Sequence, residues 1–304
     1  MLYVSTRNAV DTYTAYRALY EELAPDGGFY VPFHLPVFTK EELSNLREQS
    51  FGDTVAQLLN FFFGVRLTGW DVECAIGRLP IKPVYMNQRF IVAEAWRNPA
   101  GTFRYVLNSL YRLLSDETAT PTGWYEIAVE IALLFGLYGT LENVTQDFDI
   151  AVATGDFSDI TAALYAKSMG LPVRCIVCAC NENNAVWDLI NKGDFHTNLA
   201  QPKYMECFLS KCFGVEAVSR YLEACEKKIT YYVDETQLDF LNQNLFSAVV
   251  STNRVDAIIS SMHQTNQYQI DRDSALAYGG LQDYRSRTGV SNHTLILAKQ
   301  RPVE

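Results

Sequence analysis

The chain has 304 residues, 48% of them hydrophobic, seven cysteines and a formal net charge of −10. Such a length and apolar share support two packed domains and exclude a disordered, low-complexity protein. The negative balance, with Lys227-Lys228 isolated and Arg285, Arg287, Lys299 and Arg301 dispersed, excludes nonspecific nucleic-acid binding, which needs clustered cations to neutralise phosphates.

Taken in chain order, residues 1–90 are expected to form a small helical domain with a short terminal strand, and Pro80-Ile-Lys-Pro83 marks the crossover into a second domain over 91–304. Arg89 to Ala93 reads as the entering strand. Apolar spacing predicts helices over Phe103–Leu114, Trp124–Tyr138 and Ile160–Met169, and continuous apolar runs predict strands over Ile150–Thr154 and Val173–Cys180. Ala185–Asn191, Tyr204–Glu226 and Glu235–Asn244 supply further helices, and Thr294–Ala298 a closing buried strand. The alternation indicates an α/β sheet. Ile127–Tyr138 is too short to span a bilayer and is broken by Glu130, and the first residues lack the charged head and apolar stretch of a secretory signal. An odd cysteine count fits a reducing compartment, so a cytoplasmic, non-membrane protein is expected. On the strand, Cys178 and Cys180 share one face and Cys175 the other, which makes them buried small hydrophobes rather than a zinc or redox motif. His34, His196, His263 and His293 have no metal-ligand spacing, and no metal is assigned.

Chemistry is first suggested by Asp149 to Ile160, which runs from a buried strand through Thr154-Gly155-Asp156-Phe157-Ser158-Asp159 into a helix. Gly155 permits a tight turn, and free amides of the first helical turn would face an anion above the strand end. One glycine and an acidic turn equally make an ordinary βα connection.

The same segment resembles the cofactor-phosphate loop of threonine synthase, a pyridoxal-phosphate enzyme. There Thr-Gly-Asn-Phe-Gly-Asp/Asn precedes a helix ending Ala-Lys-x-Met-Gly-Leu-Pro, matched here by Ala166 to Pro172, and Asn181-Glu-Asn183 follows. Tyr3-Val-Ser-Thr-Arg7 and Leu23 to Pro32 resemble the family's opening motifs, Ser50 to Gly64 its next helix, and Ile270 to Ala275 its late Asp-x-His-Ser/Thr-Ala. The resemblance implies a tryptophan-synthase-β-like sheet preceded by a threonine synthase N-terminal domain, pyridoxal phosphate as cofactor and a lyase reaction giving threonine from O-phosphohomoserine. It also implies that Thr154, Gly155, Asp156, Phe157, Ser158, Asp159 and Ser274 stand at cofactor-binding positions, Ser274 facing the pyridine nitrogen.

Three departures weaken that chemistry. Arg104 stands at the Schiff-base lysine position within Glu94 to Tyr105, and a guanidinium, always charged, cannot form the imine. In the loop the family's asparagine is Asp156 and its second glycine is Ser158. A carboxylate about 4 Å from a phosphate costs roughly 4 kcal/mol at an effective dielectric near 20. Asp156 also reads as an ordinary helix cap, and Ser158 is strained if its backbone takes a positive φ. Finally, Ser115 to Gly123 leads directly into Trp124-Tyr-Glu-Ile127, a later family segment, so most of the small subdomain that grips substrate is missing, and Asp273 replaces the late histidine. The expectation is a threonine synthase-like pseudoenzyme with no catalytic residue assigned and the cofactor lost or noncovalent. The alternatives are an active threonine synthase, with Lys82, Lys167 or another lysine replacing the missing one, and a module binding a small anionic metabolite or a protein partner, including a second copy of the chain.

Overall fold

The computed structural model describes residues 1–86, 89–115, 123–142, 144, 147–182 and 185–302. Near the N-terminus, β1 (Leu2–Ser5) lies between β2 (Tyr13–Thr14) and β3 (Tyr30–Pro32), antiparallel to both. The single terminal strand expected here is therefore one of three. Its partners, of two and three residues, are too short to show an alternating pattern. Around it pack α1 (Ala15–Tyr20), α2 (Lys40–Asn45), α3 (Phe51–Phe63) and α4 (Gly69–Ile76). Helix α3 begins where the Ser50 hydroxyl accepts the Asp53 N–H and ends where Gly64 turns left-handed at φ 68, the conformation that glycine adopts without a Cβ clash.

The main sheet starts with β4 (Lys82–Met86) and β5 (Phe90–Glu94), an antiparallel pair. Helices α5 (Phe103–Ser115) and α6 (Trp124–Thr140) follow, then β6 (Phe148–Ala153), α7 (Ser158–Ser168) and β7 (Val173–Cys180). Beyond these come α8 (Ala185–Lys192), β8 (Asp194–His196), α9 (Met205–Phe213), α10 (Val215–Lys227), β9 (Thr230–Tyr232) and α11 (Glu235–Asn244). The chain ends through β10 (Leu245–Val249), α12 (Thr252–Asn266), α13 (Arg272–Thr288) and β11 (Thr294–Ala298). The helical span expected over Tyr204–Glu226 consists of α9 and α10, separated by Gly214 at φ 79.

Strand order is β10-β7-β6-β11-β5-β4, parallel throughout except at β4. The last strand in sequence is thus central, between β6 and β5. Alternate residues of each strand feed two cores. Ile91, Ala93, Ile150, Val152, Ile176, Cys178 and Leu295 join the core that runs through α5, α6, α7 and the N-terminal helices, while Phe90, Val92, Ala151, Val177 and Ile296 meet α12 and α13. Cys178 and Cys180 share the first core and Cys175 borders the second, as strand alternation requires, and burial pushes the Cys178 thiol well up. The close approach of α13 to the sheet depends on Gly280, since a Cβ there would lie 2.8 Å from the Ala179 Cβ.

Polar contacts help to fasten the N-terminal elements to the rest. The Trp124 indole N–H donates to the Tyr3 hydroxyl at 3.0 Å, and Arg7 donates two hydrogen bonds, of 2.8 and 2.9 Å, to the Glu206 carboxylate. Among the described residues no helix is long and apolar enough to cross a membrane.

Candidate functional site

Ligands in open parallel sheets bind beyond the carboxyl ends of the strands. A cavity of about 610 Å³ lies there, bordered by the ends of β6 and β11, the β6–α7 loop, the first turn of α13 and the Ala200–Lys203 segment. The seven residues at expected cofactor positions divide between the cavity wall and the layer behind it. Thr154, Gly155, Asp156, Asp159 and Ser274 line the cavity, whereas Phe157 and Ser158 are buried behind it.

The loop forms as follows. Thr154 N–H continues the β6 ladder by donating to Ala179 O at 3.0 Å, and Phe157 N–H turns back to Thr154 O at 3.3 Å. Gly155 has φ 32 and Phe157 φ 74, so the left-handed residue is an aromatic. That conformation costs about 1–2 kcal/mol for a residue with a Cβ, and burial of the Phe157 ring edge-on to Phe208 at 5.0 Å offsets it. Ser158 is not among the residues of positive φ, so the serine in place of glycine carries no backbone strain. Asp156 is not the helix cap either: Phe157 holds that position without a side-chain bond, and the Asp156 carboxylate reaches over it to accept the Ser158 N–H at 3.0 Å. An amide that could face an external anion is therefore occupied by the chain's own carboxylate.

The lysine question resolves in an unforeseen place. Lys82 is exposed at the start of the edge strand β4, and Lys167 donates to Arg174 O at 2.7 Å, at the end of α7 away from the loop. Arg104 has a side chain 53% exposed, lies 3.8 Å from Glu126 Oε1 and is not part of the cavity lining. Lys299, one residue past β11, does line it. Its Nζ lies 2.5 Å from Glu130 Oε1 and 2.8 Å from Asp159 Oδ1, over the Phe103 ring. Burial opposes the charge, but Asp159 and Glu130 outweigh it and raise the ammonium pKa, so the amine stays protonated. Burial raises Glu130 well above the usual carboxylate range despite the attraction of Lys299. The second cavity lysine, Lys203, lies 3.4 Å from Glu22 Oε1.

Sequence reasoning placed the loop and Ser274 but missed Lys299. The available signal was its position immediately after a buried strand, where α/β sheets present ligand-binding groups. Ser274 is buried in the first turn of α13, where its backbone N–H donates to Asp271 Oδ1 at 3.0 Å and its hydroxyl lies beside the same carboxylate. The Ser115–Gly123 connection lies mostly outside the described residues, which omit 116–122.

The mostly parallel sheet thus carries its cleft at the strand ends, with the β6–α7 loop and the first turn of α13 both bordering it. Residues 2–78 match the family model for the threonine synthase N terminus. Threonine synthase-like 1 of Homo sapiens is 25% identical over 184 residues, covering 53% of this chain and 24% of that protein. Threonine synthase of Buchnera aphidicola is 26% identical over 177 residues, 52% of this chain and 39% of the relative. The pyridoxal-phosphate-bound threonine synthase of Brucella melitensis superposes with a TM-score of 0.85 at 18% identity, over 99% of this chain and 89% of that one. The chain therefore resembles threonine synthases over its N-terminal segment and shares their fold in shortened form. Its match spans well under half the length of these curated relatives.

No lysine lining the cleft is an unpaired amine, and the loop that would cradle a phosphate carries Asp156 and has one amide already taken.

Proposed function

We propose that this protein is a noncatalytic threonine synthase homologue, with residues 1–90 as its N-terminal unit and 91–304 as a residual α/β domain whose cleft holds no covalently bound pyridoxal phosphate. The observation that carries this reading is the state of the candidate amines: Arg104 is a guanidinium outside the cavity, and Lys299 is an ammonium held by two carboxylates. An imine requires a neutral primary amine, and losing it removes the covalent step on which the lyase reaction depends. Noncovalent retention of the cofactor is disfavoured by the carboxylate in the phosphate loop, and the same charge weighs against an anionic metabolite. Seven unpaired thiols support a reducing compartment, taken to be the cytoplasm.

The test is an absorbance spectrum of the purified protein with added pyridoxal phosphate, followed by borohydride reduction and peptide mapping. No aldimine band and no reduced adduct are expected. A band that maps to Lys299 or any other cavity lysine, or complementation of a threonine auxotroph, would establish an active enzyme instead.

A further inference from the structure

A second cavity, of about 390 Å³, lies between the end of β5, the α12–α13 connection and the residues just past β11, and shares no lining residue with the cleft. Its construction centres on a buried carboxylate. Glu94 is 1% exposed; the Tyr268 hydroxyl donates to its Oε1 at 3.0 Å, and the Arg97 Nε donates to its Oε2. With both oxygens engaged, Glu94 serves to hold Arg97, whose guanidinium carbon lies 5.0 Å from the Trp96 ring centroid. The rest of that guanidinium is unused. Among the described residues its two terminal nitrogens have no hydrogen-bond acceptor, and Arg301, on the same cavity, has no ion-pair or hydrogen-bond partner. The two arginines stand on segments bonded side by side: the Ala95 N–H donates to Ala298 O at 2.9 Å, and Thr102 bridges to Gln300. Trp96 lines the cavity as well, and its indole nitrogen is closed to solvent without a partner, a costly state for a donor.

Guanidinium and indole N–H groups donate and cannot accept. Two arginines against one carboxylate leave the lining a single positive charge, with histidine counted neutral. Donors fixed in advance around one net charge call for a singly charged acceptor, and the planar fork of arginine matches the oxygen pair of a carboxylate. We propose that this cavity binds the carboxylate of a small metabolite, which accepts from Arg301 and from the terminal nitrogens of Arg97 and, after a side-chain adjustment of the kind that often accompanies binding, from the Trp96 N–H. Its volume lies within the range of small-molecule sites. An amine or metal ion is a poor match, because both oxygens of Glu94 are already engaged. A phosphate dianion exceeds the single charge and would face the same carboxylate.

The experiment is calorimetric titration and thermal shift on the full chain with sodium lactate and sodium benzoate as probes, and sodium chloride at matched ionic strength and inorganic phosphate as comparisons. Both carboxylates are expected to bind saturably and to raise Tm with concentration, while chloride and phosphate do not. Arg301→Gln, at an exposed position, should weaken them at least about tenfold, the loss expected for a charge-assisted hydrogen bond. Trp96→Phe keeps a ring beneath Arg97 and should weaken them about fivefold. Arg66→Gln, which removes the same charge from an exposed position in the N-terminal region, should leave the affinity unchanged. Absence of carboxylate binding, affinity unaltered by Arg301→Gln, or an equal loss with Arg66→Gln overturns the proposal, the last by showing a general charge effect. Saturable phosphate binding in place of the carboxylates overturns it in favour of a phosphate site. The noncatalytic reading is independent of these outcomes, since an aldimine band would defeat it without touching this cavity.

Discussion

Replacing Lys299 by methionine isolates the energetics of the cleft floor. The substitution keeps chain length and apolar contact with Phe103 but removes the cation between Glu130, whose side chain is 1% exposed, and Asp159. Breaking a buried pair by deleting one partner costs about 3–5 kcal/mol. The lower end, about 3 kcal/mol, is expected because Glu130 can take up a proton in place of the lost ammonium. For 304 residues the unfolding entropy near 60 °C is roughly 0.6 kcal/mol per kelvin, so Tm should fall by about 5 °C. The pH dependence has a definite sign. Lys299 has a raised folded-state pKa, so its contribution is complete below the unfolded value near about 10.4 and is lost only as pH rises through the folded one. Glu130 is raised as well and is raised further without the lysine; the variant's folded state then binds a proton that the unfolded chain releases above about 4.3. Its stability deficit should therefore narrow as pH is lowered from 8 towards about 5. Urea unfolding followed by circular dichroism at both pH values measures this, and Glu130→Gln added to Lys299→Met should recover most of the loss. A deficit below about 1 kcal/mol, within the range of an exposed ion pair, or one left unchanged by the second substitution, would refute the claim that the three groups act as a buried set.

The other predictions concern single positions. Arg104→Lys should not produce an aldimine with pyridoxal phosphate, because the position points to Glu126 and lies outside the cavity lining; a new absorbance band would show that the loop still accepts the phosphate. Phe157→Gly relieves a left-handed φ but deletes a buried ring, and the ring should dominate, with a net loss of about 2–4 kcal/mol in urea unfolding. Gly280→Ala should cost about 1–3 kcal/mol by wedging α13 from Ala179; a wild-type midpoint would mean that the helix shifts freely.

The legible parts of the fold were those whose surroundings are uniform. Val173–Cys180 and Thr294–Ala298 are covered on both faces, so their apolar runs announced buried strands with matching ends. Strand β10 escaped because Leu245-Phe-Ser-Ala-Val249 is short, lies at the sheet edge and follows α11 without a turn signal. Helix α12 buries only a narrow stripe of Val255, Ile258 and Met262, and α13 carries Gly279-Gly280, which lowers helix propensity while permitting close packing. The turn from β6 into α7 was legible from a local motif. Lys299 was not, since it meets Glu130 across 169 residues of chain and only the strand order, with β11 inserted between β6 and β5, brings them together.

That placement also bears on why the cleft can persist without a cofactor. A ligand that binds only the folded state stabilises it by mass action, so elements gathered around a cofactor ordinarily depend on it. Here α6 through Glu130, α7 through Asp159 and the end of β11 through Lys299 converge on one ammonium. The chain thereby supplies from its own side chains a cross-link between elements that border the cleft. A protein so tied should show the same Tm after exhaustive dialysis as on purification, and the same Tm again after incubation with excess pyridoxal phosphate. A rise with the cofactor, carried through a concentration series, would mean that the aldehyde or phosphate still finds a site. It would locate the weak point of the electrostatic argument at Asp156 rather than at the lysines.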